Sequence, residues 1–135
     1  MLIRKLTDEI SVADQITATD IDAIQSAGFR SIVCNRPDQE GEPHVTSDAV
    51  ASLAAGAGLT FAYLPVDGGH ITDADVDAHG QLLAELPKPI LTYCRSGARC
   101  AKLWALSESG KTDPSQLVET VDQAGLSVMD IAHRL

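Results

Sequence analysis

Two cysteines and two arginines surround one glycine in the segment YCRSGARC, residues 93–100. An apolar run typical of a buried strand, PILTY, precedes this segment, and a helical pattern, AKLWAL, follows it. The backbone N–H groups of a tight loop that enters a helix point at a common centre, and the helix dipole favours an anion there. We therefore predict an anion-binding loop formed by Arg95, Ser96, Gly97 and Ala98, in which the glycine lets the backbone turn.

Cys94 lies at the start of this loop and is the predicted nucleophile. A thiol in that field, with Arg95 and Arg99 nearby, is expected to have its pKa lowered from about 8.5 into the range of about 3.5–7.5. The alternative is a buried strand-end cysteine without chemistry, because free cysteine is among the most buried residue types. Arg99 opens the helix and can fold back over the loop, whereas Arg95 can point outward.

The elements that position the loop alternate along the chain. Strands are predicted at LIRKL, EISVADQ, FRSIVCN, LTFAYLPV and ILTYC, and helices at IDAIQSAG, SDAVASLAAGAG, DADVDAHGQLLAEL, residues 99–107 and DPSQLVETVDQAG. With 135 residues, 44% of them hydrophobic, the chain fits a single domain over residues 1–135. The alternation predicts an α/β fold in three layers, with a mostly parallel central sheet and helices on both faces.

Charge and composition exclude several classes of partner. The net charge of -9 opposes encounter with nucleic acid or an anionic membrane. No apolar run approaches the roughly 20 residues that span a bilayer, and the first residues lack a signal-peptide pattern, so we expect a cytoplasmic protein. Three cysteines without a disulfide-scaffold spacing predict thiol chemistry. The four histidines have no ligand-like spacing, so we expect no metal and no cofactor.

A second polar segment, NRPD, follows the strand FRSIVC and is expected to border the same crevice, because ligands bind beyond the carboxyl ends of parallel strands. Asn35 and Arg36 are therefore predicted to contact the substrate. The alternative is a polar turn in which Arg36 and Asp38 form an internal ion pair.

The segment YCRSGARCAKLWAL, together with QITATDIDAIQSAGFRSIVCNRPDQE and AYLPV, resembles the phosphatase-like domain of the beta-lactamase-hydrolase-like family. That domain occurs alone or fused to persulfide dioxygenase domains. The resemblance extends from about Ile10 to the end of the helix that contains Trp104. It implies a fold similar to cysteine-dependent dual-specificity phosphatases, a persulfide dioxygenase as a partner, and an activity that is either phosphatase or rhodanese-like sulfurtransferase.

Loop length favours sulfur transfer. Four residues separate Cys94 from Arg99, one fewer than in cysteine phosphatases, and Cys100 stands where their arginine would be. The shorter form resembles the rhodanese loop, so we expect a sulfurtransferase that takes sulfane sulfur from thiosulfate or a low-molecular-weight persulfide. A Cys94 persulfide would pass the sulfur to a thiol acceptor. The alternatives are a dual-specificity-like phosphatase with a phospho-Cys94 intermediate, and a non-enzymatic redox or persulfide-sensing module.

The resemblance also places Asp67, in LPVDGG, in the region of the phosphatase general acid, one residue earlier than that acid usually stands. The alternative role is a turn-forming aspartate before Gly68 and Gly69.

Cys34 and Cys94 each end a strand and are predicted to lie at the same edge of the sheet. Neighbouring strands are about 4.8 Å apart, which permits a disulfide between adjacent and level strand ends. We therefore predict that Cys34, rather than Cys100, is the redox partner of Cys94, since Cys100 would have to unwind the first turn of its helix. The alternative for Cys34 is a small buried hydrophobe beside the site.

Overall fold

A computed structural model describes residues 1–41 and 45–135 of the chain. The described residues form one sheet of five strands, β1 (Ile3–Lys5), β2 (Ile10–Ala13), β3 (Ser31–Cys34), β4 (Thr60–Tyr63) and β5 (Ile90–Tyr93). Their spatial order is β1-β2-β5-β3-β4. β1 pairs antiparallel with β2, and the other three pairs are parallel. The prediction of a mostly parallel sheet is confirmed.

Five α-helices connect and follow the strands in the described ranges, α1 (Ile21–Ser26), α2 (Ser47–Gly56), α3 (Asp73–Glu85), α4 (Ala98–Ser107) and α5 (Pro114–Gln123). Short 3-10 helices lie at Ala18–Asp20, Asp38–Glu40 and Met129–Arg134. None of the described helices has the length and apolar character needed to cross a membrane.

Side-chain oxygens cap three of the described helices, α2, α3 and α5. Thr72 and Asp75 form a reciprocal capping box at the start of α3, and Asp113 caps α5 with Pro114 in the first helical position. Helix α2 is capped by Thr46, whose side-chain oxygen accepts from the Ala49 N–H. These caps satisfy backbone N–H groups that the first helical turn leaves without partners.

Hydrophobic side chains pack against both faces of the sheet. Ile90 on β5 belongs to a buried cluster with Trp104 of α4 and with side chains of α3 and α5. The next residue, Leu91, belongs to a separate cluster on the opposite face with side chains of α1 and α2. Successive residues of a strand point to opposite faces, which explains the division. Helices therefore cover both faces, as predicted.

The carboxyl ends of the three central strands are level. Ala13 of β2 and Cys34 of β3 both pair with Tyr93 of β5. The backbone N–H of Cys94, the next residue, donates to the Ala13 carbonyl at 3.3 Å, and the Asn35 N–H donates to the Tyr93 carbonyl at 2.9 Å. The loop after β5 thus begins at the centre of the sheet edge.

Candidate active site

Residues 94–100 form a tight loop whose N–H groups surround the Cys94 sulfur. Gly97 has a φ of +92°, and its N–H donates to Cys94 Sγ at 3.2 Å. A Cβ on Gly97 would lie 3.5 Å from the carbonyl of Ala13 and would have a backbone conformation that L side chains rarely adopt. The glycine is therefore needed for the turn that aims these N–H groups, as the sequence predicts.

These contacts lower the pKa of Cys94 to about 5, within the range expected for an activated thiol. The largest contribution is a hydrogen bond from the Cys100 thiol, and the backbone N–H groups of Cys100, Ser96 and Gly97 add to it, while burial opposes them. Cys94 is therefore a thiolate near neutral pH. Only 1% of the Cys94 residue is exposed, so the nucleophilic sulfur is largely shielded from solvent.

Arg99, the second residue of α4, folds back over the rim of the loop. Its Nη1 donates to the Asn35 carbonyl at 3.2 Å and to the Val66 carbonyl at 2.9 Å. Nη1 and Nη2 also donate to the Glu40 carboxylate at 3.2 and 2.9 Å. Arg95, in contrast, is exposed. The expectation that Arg99 turns inward and Arg95 outward thus agrees with the structure.

Gly68 covers the Arg99 guanidinium. A Cβ at Gly68 would lie 2.9 Å from Arg99 Nε, closer than real Cβ contacts allow. At Gly69 the nearest atom to such a Cβ would be Asp67 Oδ1 at 3.5 Å, an ordinary contact. Close packing over the arginine therefore requires glycine at position 68 but not at position 69.

Asn35 lies inside the protein, with none of its surface exposed. Its Oδ1 lies 3.3 Å from Cys100 Sγ, and its Nδ2 donates to the Leu64 carbonyl at 3.0 Å and lies 3.4 Å from His79 Nδ1. Burial lowers the pKa of His79 to about 4, so the imidazole is neutral. Because the Asn35 amide is buried among interior groups, the predicted contact of Asn35 with substrate is corrected to a supporting role.

The Cys100 thiol has one proton and two neighbouring acceptors, Asn35 Oδ1 and the Cys94 sulfur. An ionised sulfur is the stronger acceptor, so the proton points to Cys94 while Cys94 is a thiolate. Burial raises the pKa of Cys100 well above its ordinary value, which keeps the proton in place.

Arg36 also lies at the rim of the loop, but its partners differ from the predicted ones. Its Nη1 donates to Gln15 Oε1 at 2.8 Å, its Nη2 donates to the Glu40 carbonyl at 2.7 Å, and its Nε lies 3.7 Å from Glu40 Oε1. Asp38 instead accepts from the backbone N–H and hydroxyl of Ser47. The alternative of an internal Arg36–Asp38 ion pair is therefore wrong, because Asp38 faces the start of α2.

The structure favours Cys100 over Cys34 as the redox partner of Cys94, contrary to the prediction. Cys34 pairs with Tyr93 in the sheet, so its side chain lies on the face opposite to Cys94. Its Sγ donates to the Arg36 carbonyl at 3.4 Å, and burial raises its pKa. Cys100 contacts Cys94 directly without unwinding α4, so it is the better placed partner. Disulfide formation itself stays a prediction.

Asp67 forms a turn before Gly68 and Gly69, which was the alternative to a role as general acid. Its Oδ1 accepts from the Gly69 N–H at 2.9 Å, and the side chain is exposed. The preceding residue, Val66, binds Arg99 through its carbonyl, so Asp67 follows directly on the rim of the site. Its role as a general acid stays a prediction.

Sequence reasoning missed two residues of the site. Glu40 binds Arg99 and also lies against Arg36. Its spacing of four residues from Arg36 in a polar segment could have predicted an ion pair with an arginine. His79 lies on the buried side of α3, four residues before the buried Leu83. Its spacing from Leu83 could have shown that this histidine faces the protein interior.

Solved structures of cysteine phosphatases share this fold. A protein of Neisseria meningitidis Z2491 with a provisional phosphatase assignment superposes with a TM-score of 0.90 at 30% identity, over 99% of this chain and 96% of that chain. Kinase associated phosphatase, with its catalytic-site cysteine replaced by serine, gives a TM-score of 0.73 at 14% identity, over 97% and 88% of the chains. The fold is thus that of dual-specificity and protein-tyrosine-phosphatase-like proteins.

The chain belongs to the family described as beta-lactamase hydrolase-like protein, phosphatase-like domain, whose model matches residues 2–111. It is 34% identical over 107 residues to a beta-lactamase hydrolase-like protein of Agrobacterium fabrum, covering 78% of this chain and 24% of that protein. A Xylella fastidiosa protein of the same description is 33% identical over 108 residues, covering 80% and 25%. The chain therefore spans about a quarter of the length of these curated relatives.

Proposed function

We propose that the chain is a cysteine-dependent phosphatase that hydrolyses phosphoesters through a phospho-Cys94 intermediate. The observation that carries this proposal is the Cys94 thiolate at the centre of a ring of N–H donors, with Arg99 at its rim. Phosphatase-like relatives favour phosphate over the sulfane sulfur that loop length alone suggested. The sulfurtransferase expected from the sequence has no support among these relatives.

The proposed reaction has two steps. In the first, the Cys94 sulfur attacks phosphorus, an S–P bond forms and the P–O bond to the leaving alkoxide breaks. The loop N–H groups and Arg99 hold the phosphoryl oxygens, whose charge they stabilise. In the second, water attacks phosphorus, inorganic phosphate leaves and the Cys94 thiolate returns, stabilised by the proton of the Cys100 thiol.

The leaving alkoxide also needs a proton in the first step, and Asp67 is the candidate donor. To do so, the Asp67 carboxyl group would have to carry a proton, leave the hydrogen bond with the Gly69 N–H and reach over the rim formed by Val66. An aryl phosphate has a less basic leaving group than an alkyl phosphate. We therefore expect replacement of Asp67 by Asn to slow alkyl phosphate hydrolysis more than aryl phosphate hydrolysis.

Sulfur transfer is the second candidate, and one observation favours it. Only four residues separate Cys94 from Arg99, and Cys100 takes the next position with its thiol directed into the loop. A sulfane-sulfur donor such as thiosulfate releases sulfite, which leaves without a proton, so this chemistry does not require Asp67.

Mass spectrometry of the peptide that contains Cys94 separates the two candidates. After brief exposure to an aryl phosphate and acid quenching, we expect the peptide to gain the mass of one HPO3 group, and Cys94→Ser to abolish both the adduct and phosphate release. After exposure to thiosulfate, a gain of one sulfur atom with turnover to a thiol acceptor would instead support the sulfurtransferase. Neither adduct, in a folded protein, would refute both enzymatic functions.

The two arginines provide a second test of the proposal. Arg99→Ala removes a charged donor from the rim and is expected to raise KM and lower kcat for an aryl phosphate, by roughly 10- to 100-fold in kcat/KM. Arg95→Ala is the matched control, because the Arg95 side chain is exposed. A larger loss in Arg95→Ala would show that the exposed arginine, and not Arg99, binds the anion.

A further inference from the structure

Arg134, in the 3-10 helix over Met129–Arg134, reaches the segment that follows Asp67. Its Nη1 donates to the Ile71 carbonyl at 2.8 Å, and its Nη2 donates to Asp73 Oδ1 at 3.2 Å. The Arg134 side chain is 28% exposed, whereas that of Asp73 is 99% exposed. An ion pair with a fully exposed carboxylate contributes little to stability. The partly buried bond to the Ile71 carbonyl is therefore the contact that fixes this segment.

The residue before Asp67 is held firmly by the body of the protein. The Val66 N–H donates to the Asn35 carbonyl at 3.0 Å, and the Val66 carbonyl accepts from Arg99 Nη1 at 2.9 Å. The Val66 side chain is buried in a cluster with Leu103 of α4. The turn that follows therefore starts from a fixed point beside the site.

Within the part of the chain that the structure describes, residues 67–70 form hydrogen bonds only inside their own turn. The Gly69 N–H donates to Asp67 Oδ1 at 2.9 Å, and the His70 N–H donates to the Asp67 carbonyl at 3.0 Å. A groove of about 290 Å³ lies between this turn and the 3-10 helix that contains Arg134. The turn therefore has room to move on that side, and its position depends on the contacts at its two ends.

Proton transfer from Asp67 depends on the position of this turn. A general acid must come within about 2.6–3.2 Å of the oxygen that it protonates. Displacement of a reacting group by about 1 Å can lower the rate about 100-fold. Movement at Ile71, four residues after Asp67, would shift the turn relative to the rim of the site. The contact that fixes Ile71 therefore restricts the positions that the Asp67 carboxyl group can take.

We propose that Arg134 is a positioning residue for proton transfer. By binding the Ile71 carbonyl, it holds the turn over residues 67–70 against Arg99, so that Asp67 stays within reach of the leaving group. This inference rests on the proposed function, in which Asp67 is the candidate donor to the leaving alkoxide. The family model matches residues 2–111, so Arg134 belongs to a part of the chain outside that match.

The first test compares an alkyl phosphate with an aryl phosphate as substrates. Arg134→Met removes the guanidinium and keeps an unbranched side chain. We expect kcat/KM to fall about 10-fold for the alkyl phosphate and less than about 3-fold for the aryl phosphate, because the more basic leaving group depends more on a proton donor. Arg134→Lys keeps a donor for the Ile71 carbonyl and should recover most of the loss. Equal losses for the two substrates, or a gain in rate, would overturn the inference.

Combination with Asp67→Asn tests whether Arg134 acts through Asp67. Once the proton donor is absent, its position no longer matters, so adding Arg134→Met to Asp67→Asn should cost less than about 2-fold with the alkyl phosphate. Additive losses in the double variant would overturn the inference and leave Arg134 with a role in stability alone.

Two further variants serve as controls. Asp73→Asn removes the charge of the exposed ion pair but keeps the contact of Arg134 with the Ile71 carbonyl. Arg30→Met makes the same substitution at an exposed position just before β3. Both variants should keep near-normal kcat/KM for the two substrates. A loss in Asp73→Asn as large as that in Arg134→Met would overturn the assignment to the Ile71 contact.

Hydrogen exchange of the full chain, followed by peptide mass spectrometry, tests the contact without any turnover. In Arg134→Met, the peptide over residues 66–73 should exchange about 5-fold faster, while the peptide over residues 90–100 should keep its wild-type rate. Unchanged exchange over residues 66–73 would overturn the inference even if phosphatase activity is found. Faster exchange in the variant, with no hydrolysis of either phosphate by the wild type, would reject the proposed function while the hold of Arg134 on the turn stands.

Discussion

Removing the Cys100 thiol tests what makes Cys94 acidic. Cys100→Ala deletes the S–H donor but keeps the backbone N–H that also points at the Cys94 sulfur. A hydrogen bond to a charged group contributes about 1.5–3 kcal/mol, which corresponds to roughly 1–2 pKa units. Since the pKa of Cys94 is about 5, we expect it to rise to about 6–7 in Cys100→Ala. Cys100→Ser keeps an O–H donor and should restore most of the acidity.

The rate of alkylation by iodoacetamide as a function of pH measures this pKa, with peptide mass spectrometry to assign the modified thiol. At pH values near 5.5, Cys100→Ala should react roughly 3- to 25-fold more slowly than the wild type, because the thiolate fraction falls. The rates should converge above a pH of about 9, where Cys94 is ionised in both proteins. A thermal melt checks that each variant is folded.

Cys34→Ala is the control for this experiment, because Cys34 lies on the opposite face of the sheet and contacts the Arg36 carbonyl. It should leave the titration midpoint of Cys94 near the wild-type value. If Cys100→Ala also left the midpoint unchanged, the backbone N–H groups alone would hold the thiolate and the assigned role of the Cys100 thiol would be refuted.

Two further predictions concern the rim and the redox chemistry of the site. Gly68→Ala should displace Arg99 and lower kcat/KM for an aryl phosphate by about 10-fold, whereas Gly69→Ala should keep near-normal activity; equal losses would disprove the packing argument. Mild peroxide should oxidise the Cys94 thiolate to a sulfenic acid, which the Cys100 thiol attacks to give a Cys94–Cys100 disulfide and water. Peptide mapping that finds sulfinic Cys94 without this link would contradict the second prediction.

Features set by nearby residues were predictable from the sequence. The loop after β5 was identifiable because a buried strand, a glycine and a helix start follow one another within residues 90–98. The same holds for α5, where Asp113 and Pro114 mark the first turn. The N–H groups that acidify Cys94 belong to the loop itself, so an activated thiol followed from the motif alone.

Partners that come from separate elements were not predictable in the same way. Arg36 could pair with Asp38 or with Glu40, and the choice depends on the 3-10 turn over residues 38–40, which directs Asp38 to Ser47 and Glu40 to the arginines. Asn35 was expected at the substrate surface because it follows a strand end. Its amide turns inward instead, since α3 places the His79 ring against it.

The two auxiliary cysteines show how a single residue of offset decides a contact. Cys34 is level with Tyr93, so the alternation of side chains places it on the other face from Cys94, although their strands are neighbours. Cys100 is brought to Cys94 by the loop, because the turn at Gly97 that aims the N–H groups also directs the first turn of α4 back over the sulfur. The geometry that makes Cys94 acidic therefore also supplies the thiol that shares its proton. We infer that nucleophilicity and susceptibility to oxidation are linked at this site, since both follow from one turn of the backbone.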